Sequence, residues 1–173
     1  MGTGIKQIAA ESQATLGSIY HFFPGGKEAV AAIRHSCEEF AAVLREALDR
    51  ADDPAEAVLS CCRDLATALR ESGWIDGCPV TAAALETLGT DSEIQQACAE
   101  ALNGWERLVR DKLLSSGFPA GDARELATTV ISTIEGAEVT SQVNRNEEAL
   151  LVAGRQLARL VRSYGIEAPA SRT

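Results

Sequence analysis

Two short helical patterns separated by a tight turn lie near the start of the chain, and this arrangement limits what the chain can fold into. Apolar residues recur at spacings of three and four in both segments: Ile5, Ile8, Ala9, Ile19 and Phe23. Such spacing places them on one face of each helix. The sequence Pro24-Gly25-Gly26 then ends the second helix. This order predicts a helix-turn-helix, which places its second helix in the major groove of DNA.

The outer surface of the second short helix carries candidate DNA contacts. Thr15 stands where an N-cap belongs, because its hydroxyl accepts a hydrogen bond from a free backbone amide. Gly17 lets the helix approach the DNA backbone closely, and the Tyr20 hydroxyl suits a phosphate oxygen. The predicted DNA-binding residues are Thr15, Leu16, Gly17, Ser18, Tyr20, His21 and Lys27. The alternative is an ordinary helical hairpin with a glycine-rich break.

The same residues resemble the tetracycline-repressor (TetR) family of bacterial regulators. The family commonly shows I-A-x-x-A-G-V-S-x-G-x-x-Y-x-H-F followed by a Lys-Glu pair, and the matching residues are Ile8, Ala9, Gly17, Tyr20, Phe23, Lys27 and Glu28. The Phe-Pro-Gly-Gly-Lys-Glu ending, and Gly77-Cys78-Pro79-Val80 with Leu85-Glu86, resemble the branch of lincomycin-resistance (LmrA/YxaF-like) repressors. The resemblance implies a homodimeric, ligand-responsive repressor that a small apolar inducer releases from a palindromic, double-stranded operator.

Beyond the motif, the chain is patterned as a series of amphipathic helices, which predicts an all-α fold. Helical spacing, N-cap residues and Gly or Pro breaks predict helices over 27–50, 54–72, 81–88, 92–115, 122–143 and 147–164. We expect a DNA-binding domain over 1–45 and a helical ligand-binding and dimerisation domain over 46–173.

In the resembled family a further helix precedes the motif and packs beneath the recognition helix, whereas this chain starts almost at the motif. We therefore expect a three-helix DNA-binding domain truncated at its N-terminus. Gln13 stands where the family has a turn glycine, and Leu16 where relatives often carry a polar residue. These departures leave open a second function, a dimeric helical ligand-binding module without DNA-binding activity.

We accordingly predict that the 173-residue chain itself binds DNA weakly or not at all. A mobility-shift titration checks this expectation, and nanomolar operator binding by this chain would refute it.

The charge distribution is compatible with a regulator whose body faces away from DNA. The net charge is −9, yet residues 1–37 carry three basic and two acidic side chains, so the acidity lies in the remainder. No apolar run approaches the roughly 20 residues of a membrane span, and we expect a cytoplasmic protein. No catalytic constellation, zinc spacing or phosphate loop accompanies the two histidines, so we expect neither an enzyme nor a bound cofactor.

A ligand pocket is expected among the middle helices. Its candidate lining combines apolar residues with two acidic residues one helical turn apart: Leu65, Leu69, Trp74, Ile75, Cys78, Val80, Trp105, Leu108, Ile131, Ile134, Glu135 and Glu138. The two carboxylates offer a polar anchor or attract a cation. The alternative is that the apolar members are ordinary core. The five cysteines are expected to act as small apolar residues, with a redox role considered only for Cys78.

The last two predicted helices form an antiparallel pair joined by a short polar turn. In the resembled family such a pair meets its two-fold mate in a four-helix bundle. The residues expected at this interface are Ile134, Ala137, Val143, Leu150, Ala153, Leu157 and Leu160. The alternative is that both helices only cover the core of one subunit.

Overall fold

Six α-helices make up the part of the chain that the computed structural model describes, residues 27–89 and 92–164. They are α1 (Lys27–Arg50), α2 (Pro54–Glu71), α3 (Pro79–Glu86), α4 (Glu93–Ser115), α5 (Ala120–Asn144) and α6 (Glu148–Ser163). Within those two ranges there is no β-strand, and the predicted all-α fold is confirmed. The helix-turn-helix segment over 1–26 lies outside the described residues. No helix in the described ranges has the length and apolar character needed to cross a membrane.

Local capping chemistry sets the helix ends close to where the sequence predicts them. The Asp53 carboxylate accepts a hydrogen bond from the Ala55 amide at 2.9 Å, and Pro54 takes the first position of α2. The Ser92 hydroxyl accepts from the Gln95 amide at 3.2 Å and starts α4. The prediction was wrong at α3, which begins at Pro79 rather than at residue 81. The Cys78 sulfur caps that helix, a role not predicted for this residue.

The middle of α1 is anchored on α4 by the indole of Trp105. This side chain is buried, and its ring centroid lies 4.4 Å from that of Phe40 at an interplanar angle of 59°. The indole N–H donates to the Cys37 carbonyl at 3.4 Å. At the end of α1, the Lys112 ammonium donates to the Ala51 carbonyl at 2.7 Å. Helix α1, which starts at the end of the predicted DNA-binding motif, is therefore fixed to α4 at two points, one in its middle and one at its C-terminal end.

Helix α6 packs most closely against α2, and a glycine permits that close approach. A Cβ added at Gly154 would lie 2.8 Å from the Cys62 Cβ and 3.3 Å from the Leu59 Cδ1, and both of those residues belong to α2. Three ion pairs connect this part of the chain to α2 and its N-cap: Arg70 with Glu147 at 2.7 Å, Arg162 with Asp53 at 3.3 Å, and Arg162 with Glu56 at 3.6 Å. These pairs are exposed, so packing rather than charge holds the two helices together.

We predict that Gly154→Ala lowers the free energy of unfolding by about 1–3 kcal/mol, because the added methyl group overpacks the contact with Cys62. Gly104→Ala in α4 is the matched control. Its added Cβ meets only the end of the Arg107 side chain at 3.7 Å, and alanine favours the helix by up to about 1 kcal/mol. Urea unfolding of both variants measures the two effects, and equal stability of the two variants would contradict the packing argument.

Candidate functional site

A buried polar cluster lies where the start of α3 meets the middle of α5. It consists of Cys78, Thr81, Glu135 and Glu138. The Cys78 sulfur and a carboxylate oxygen of each glutamate all lie within 4.8 Å of one another. Glu135 and Glu138 are 9% and 7% exposed, unusual values for acidic side chains. Because these glutamates are three positions apart, they share one face of α5.

The first turn of α3 brings two donors to Glu135. The Thr81 amide donates to the Cys78 sulfur at 3.4 Å, which caps the helix. The Thr81 hydroxyl donates to the Glu135 carboxylate, and the Cys78 thiol also lies in hydrogen-bonding contact with that carboxylate. The cluster thus ties α3 to α5 through side chains of three residues.

Burial dominates the electrostatics of the cluster. Loss of hydration raises the pKa of Glu135, and the bonds from Thr81 and Cys78 offset only part of that rise. Burial, reinforced by the neighbouring Glu135 charge, raises the pKa of the Cys78 thiol. A protonated thiol is a hydrogen-bond donor, so the Cys78 thiol is suited to its contact with the Glu135 carboxylate.

The other described cysteines are poorly suited to redox chemistry for the same reason. Burial raises the pKa of Cys61 and of Cys62 to about 12, and that of Cys98 to about 11. Burial also raises the pKa of Cys37. Since the thiolate is the reactive species, the expectation that these residues act as small apolar side chains fits their surroundings, and a redox role for Cys78 gains no support.

The loop from Gly73 to Gly77 between α2 and α3 (the α2–α3 loop) lies against the C-terminal part of α5. The Gln142 amide donates to the Ile75 carbonyl at 3.0 Å. Gly77 approaches the same side chain so closely that a Cβ there would lie 2.5 Å from the Gln142 Oε1. Trp74 adopts a positive φ of 71°, and its amide donates to the Leu69 carbonyl at 2.9 Å. These contacts fix the backbone that leads into the buried polar cluster.

The structure brings together only part of the predicted pocket lining. Cys78, Glu135 and Glu138 meet in the buried polar cluster, and the side chains of Val80, Ile131 and Ile134 belong to the main core. The predicted set did not contain Thr81. The sequence signal for this residue is its position three residues after Cys78, at the start of a helix that Pro79 begins.

The remaining predicted lining residues lie elsewhere. Leu65, Leu69 and Trp74 pack in a small cluster with Leu150. Trp105 contacts α1 instead, and Leu108 packs on the main core. Ile75 differs from the other candidates, because its side chain is 74% exposed. It follows the apolar pattern of its neighbours but stands in a loop.

An open groove of about 690 Å³ lies between the first half of α1 and the start of α4. Its polar lining residues are Arg34, His35, Glu38, Glu93, Gln96 and Glu100. Arg34 and Glu100 approach to 4.0 Å across it. None of the predicted pocket residues lines this groove, and its mixed charge distinguishes it from an apolar ligand site.

The predicted dimer-interface residues are mostly inside the subunit. Ile134, Leu150, Ala153 and Leu157 are buried within the single chain, and Ala137 and Leu160 are half-buried. α5 and α6 turn these four side chains toward neighbouring helices of the same chain, and the assignment of these residues to the interface stays a prediction. Val143, at 76% exposure, is the predicted member that lies on a free surface.

Of the predicted DNA-binding residues, Lys27 alone lies within the described part of the chain. Thr15, Leu16, Gly17, Ser18, Tyr20 and His21 lie outside the described residues. Lys27 is the first residue of α1.

We predict a pH-dependent gain of stability for Glu135→Gln. Because burial raises the pKa of Glu135 in the folded protein, this residue destabilises the fold as pH rises from its ordinary value of 4.5 through the raised value. Glutamine removes the buried charge but keeps an acceptor for Thr81. The free energy of unfolding should therefore increase at neutral pH, and the gain should vanish below about pH 4.5.

Urea unfolding at several pH values measures this difference, with Glu125→Gln at an exposed position of α5 as the control. A gain that is independent of pH, or a loss at neutral pH, would contradict the assignment of Glu135 as a costly buried carboxylate.

Comparison with known proteins places these features in a family. Residues 54–156 match the family model described as the C-terminal domain of LmrA/YxaF-like transcriptional regulators. The HTH-type transcriptional regulator YxaF of Bacillus subtilis is 33% identical over 165 residues, which cover 94% of this chain and 86% of YxaF. The HTH-type regulator LmrA of the same organism is 34% identical over 152 residues, covering 87% and 81% of the two chains.

A solved structure supports the fold independently. The regulatory protein TetR from Rhodobacter sphaeroides has a TM-score of 0.69 and 22% identity, and the match covers 90% of this chain and 86% of that one. The relatives are named as transcriptional regulators and not as enzymes. The chain therefore belongs to the TetR family of helix-turn-helix transcriptional regulators, in its LmrA/YxaF-like branch.

Proposed function

We propose that this regulator is a homodimeric repressor that binds a palindromic operator and is released by a small, largely apolar inducer. Residues 1–45 form the DNA-binding domain in this proposal, and residues 46–173 form the domain that senses and dimerises. The observation that carries the sensing part is the contact of α3 with α5 through Thr81 and Glu135, inside the segment that matches the regulator C-terminal domain. An apolar ligand with one polar group would enter beside this contact and compete for Glu135.

The DNA-binding part rests on the sequence motif and on the relatives, which are HTH-type regulators. In the proposed complex, Leu16, Gly17, Ser18 and His21 face base edges, and Thr15, Tyr20 and Lys27 serve the N-cap and the phosphates. The acidic remainder of the chain then lies away from the duplex.

Dimerisation is required because two heads must be held at the spacing of successive major grooves. The exposed side of α5 suits this role. Between residues 126 and 144 its exposed side chains are all uncharged: Thr128, Thr129, Ser132, Val139, Thr140, Val143 and Asn144. A two-fold interface places the same surface against itself, so such a surface must avoid like charges. We assign the subunit interface to this surface, the outer face of α5.

A route from ligand to DNA follows from the packing. Helix α3 contacts both α4 and α1, and Trp105 of α4 packs on Phe40 and donates a hydrogen bond to the Cys37 carbonyl of α1. A ligand that displaces Thr81 from Glu135 would shift α3 and thereby change the angle at which α1 leaves the body. By thermodynamic linkage, the inducer must bind the DNA-free form more tightly than the DNA-bound form.

The test is a mobility shift of the full-length gene product on its own promoter, with and without candidate apolar ligands. Tyr20→Phe should weaken binding to all duplex sequences alike. His21→Ala should relax the preference among operators, by roughly 1–3 kcal/mol for a base contact. Thr81→Val removes the hydrogen bond that the ligand is proposed to break, so it should weaken operator binding in the absence of ligand and reduce the further response to ligand, whereas Glu125→Gln should change neither.

The outcomes separate the two functions considered. Ligand binding without any operator binding by the full-length protein would favour a helical ligand-binding module and overturn the repressor. Operator binding that no ligand alters would leave the regulator in place and overturn its ligand response.

A further inference from the structure

The two most exposed large apolar side chains in the described part of the chain lie on two elements that a hydrogen bond joins, α5 and the α2–α3 loop. Val143 on α5 is 76% exposed and Ile75 in the α2–α3 loop is 74% exposed. Gln142, the residue before Val143, donates its amide hydrogen bond to the Ile75 carbonyl at 3.0 Å. Val139, one turn earlier on α5, is 41% exposed. The apolar surface of α5 thus continues onto the loop.

The α2–α3 loop is well ordered by hydrogen bonds even though Ile75 is exposed. The Ile75 carbonyl accepts from Gln142 and also from the Gly77 amide at 3.1 Å. The Asp76 amide donates to the Ser72 hydroxyl at 3.2 Å. An apolar side chain on a fixed backbone loses little conformational freedom when a partner covers it, so it is well prepared to act as an interface anchor.

We propose that the α2–α3 loop is part of the subunit interface, and that Ile75 anchors it against a second copy of this chain. This inference rests on the proposed dimerisation through the outer face of α5 and extends that surface to an element outside the α5–α6 pair. We choose a second copy as the occupant because the loop adjoins an uncharged helix surface. Such a surface can pack against the same surface of a second subunit without repulsion between like charges. Asp76 lies at the polar rim of the extended surface.

The consequence is a direct connection between the interface and the buried polar cluster. Gly77 is followed at once by Cys78, which caps α3 and lies against Glu135. The same short segment therefore contacts the partner on one side and the proposed ligand site on the other. Any displacement of Cys78 and Thr81 would alter how the two subunits meet.

Sedimentation equilibrium of the full chain tests this assignment with three lysine substitutions. Val143→Lys probes the outer face of α5, and Ile75→Lys probes the loop. Val43→Lys, at a 47% exposed position on α1, is the matched control. We expect Val143→Lys and Ile75→Lys each to raise the dimer dissociation constant at least tenfold, because both place a charge in an apolar interface. Val43→Lys should leave it unchanged.

Two failures are distinguishable. A dimer weakened by Val143→Lys but not by Ile75→Lys would overturn the role of the loop and leave the α5 interface intact. A dimer weakened by neither would overturn both assignments.

Amide hydrogen exchange gives a second readout that does not depend on substitution. The peptide spanning residues 73–78 of the unmodified chain should exchange more slowly above the dimer dissociation constant than below it. Exchange independent of protein concentration would overturn the proposal.

Discussion

The contact of Trp105 with α1 is the interaction on which the arrangement of this molecule depends. The indole fills the space between α4 and α1, stacks obliquely on Phe40 and donates its only hydrogen bond to the Cys37 carbonyl. Aromatic burial of this kind provides a large apolar contact with a fixed orientation. Because α1 starts at the end of the predicted DNA-binding motif, the contact with α4 fixes the first described helix of the chain.

The second constraint lies at the opposite side of α3. There the molecule buries two carboxylates, and the Thr81 hydroxyl and the Cys78 thiol at the start of a short helix contact the carboxylate of Glu135. Burying a carboxylate is costly unless it is hydrogen-bonded. The proposed ligand response uses this cluster, and the packing of α3 on α4 and α1 would pass a shift of α3 on to both helices.

The sequence predicted the helices well because their signals are local. Apolar spacing, the Asp-Asp-Pro cap at residues 52–54 and the serine at 92 are properties of neighbouring residues, and the structure confirms them. Cys78, Glu135 and Glu138, three members of the predicted pocket lining, lie close together in the structure, although the sequence did not predict that they contact one another.

The surroundings of individual apolar side chains were harder to predict, because a sequence pattern shows that a residue is apolar but not which neighbour covers it. Leu150 and Leu157 were assigned to a partner subunit, whereas α2 and α5 of the same chain already bury them. Trp105 was assigned to a ligand and instead contacts α1. Ile75 was predicted to line the pocket and its side chain is 74% exposed, because no periodicity indicates where a loop residue points. Such choices depend on the three-dimensional order of the helices, which spacing alone does not determine.

The tight approach of Gly77 to Gln142 has an evolutionary consequence. A side chain at position 77 would push the Gln142 carboxamide away and break its bond to the Ile75 carbonyl. A shorter residue at 142 would relieve that crowding but leave the loop untethered. The two positions should therefore change together among homologues, with glycine retained wherever glutamine is present and larger residues appearing at 77 only where 142 has become small.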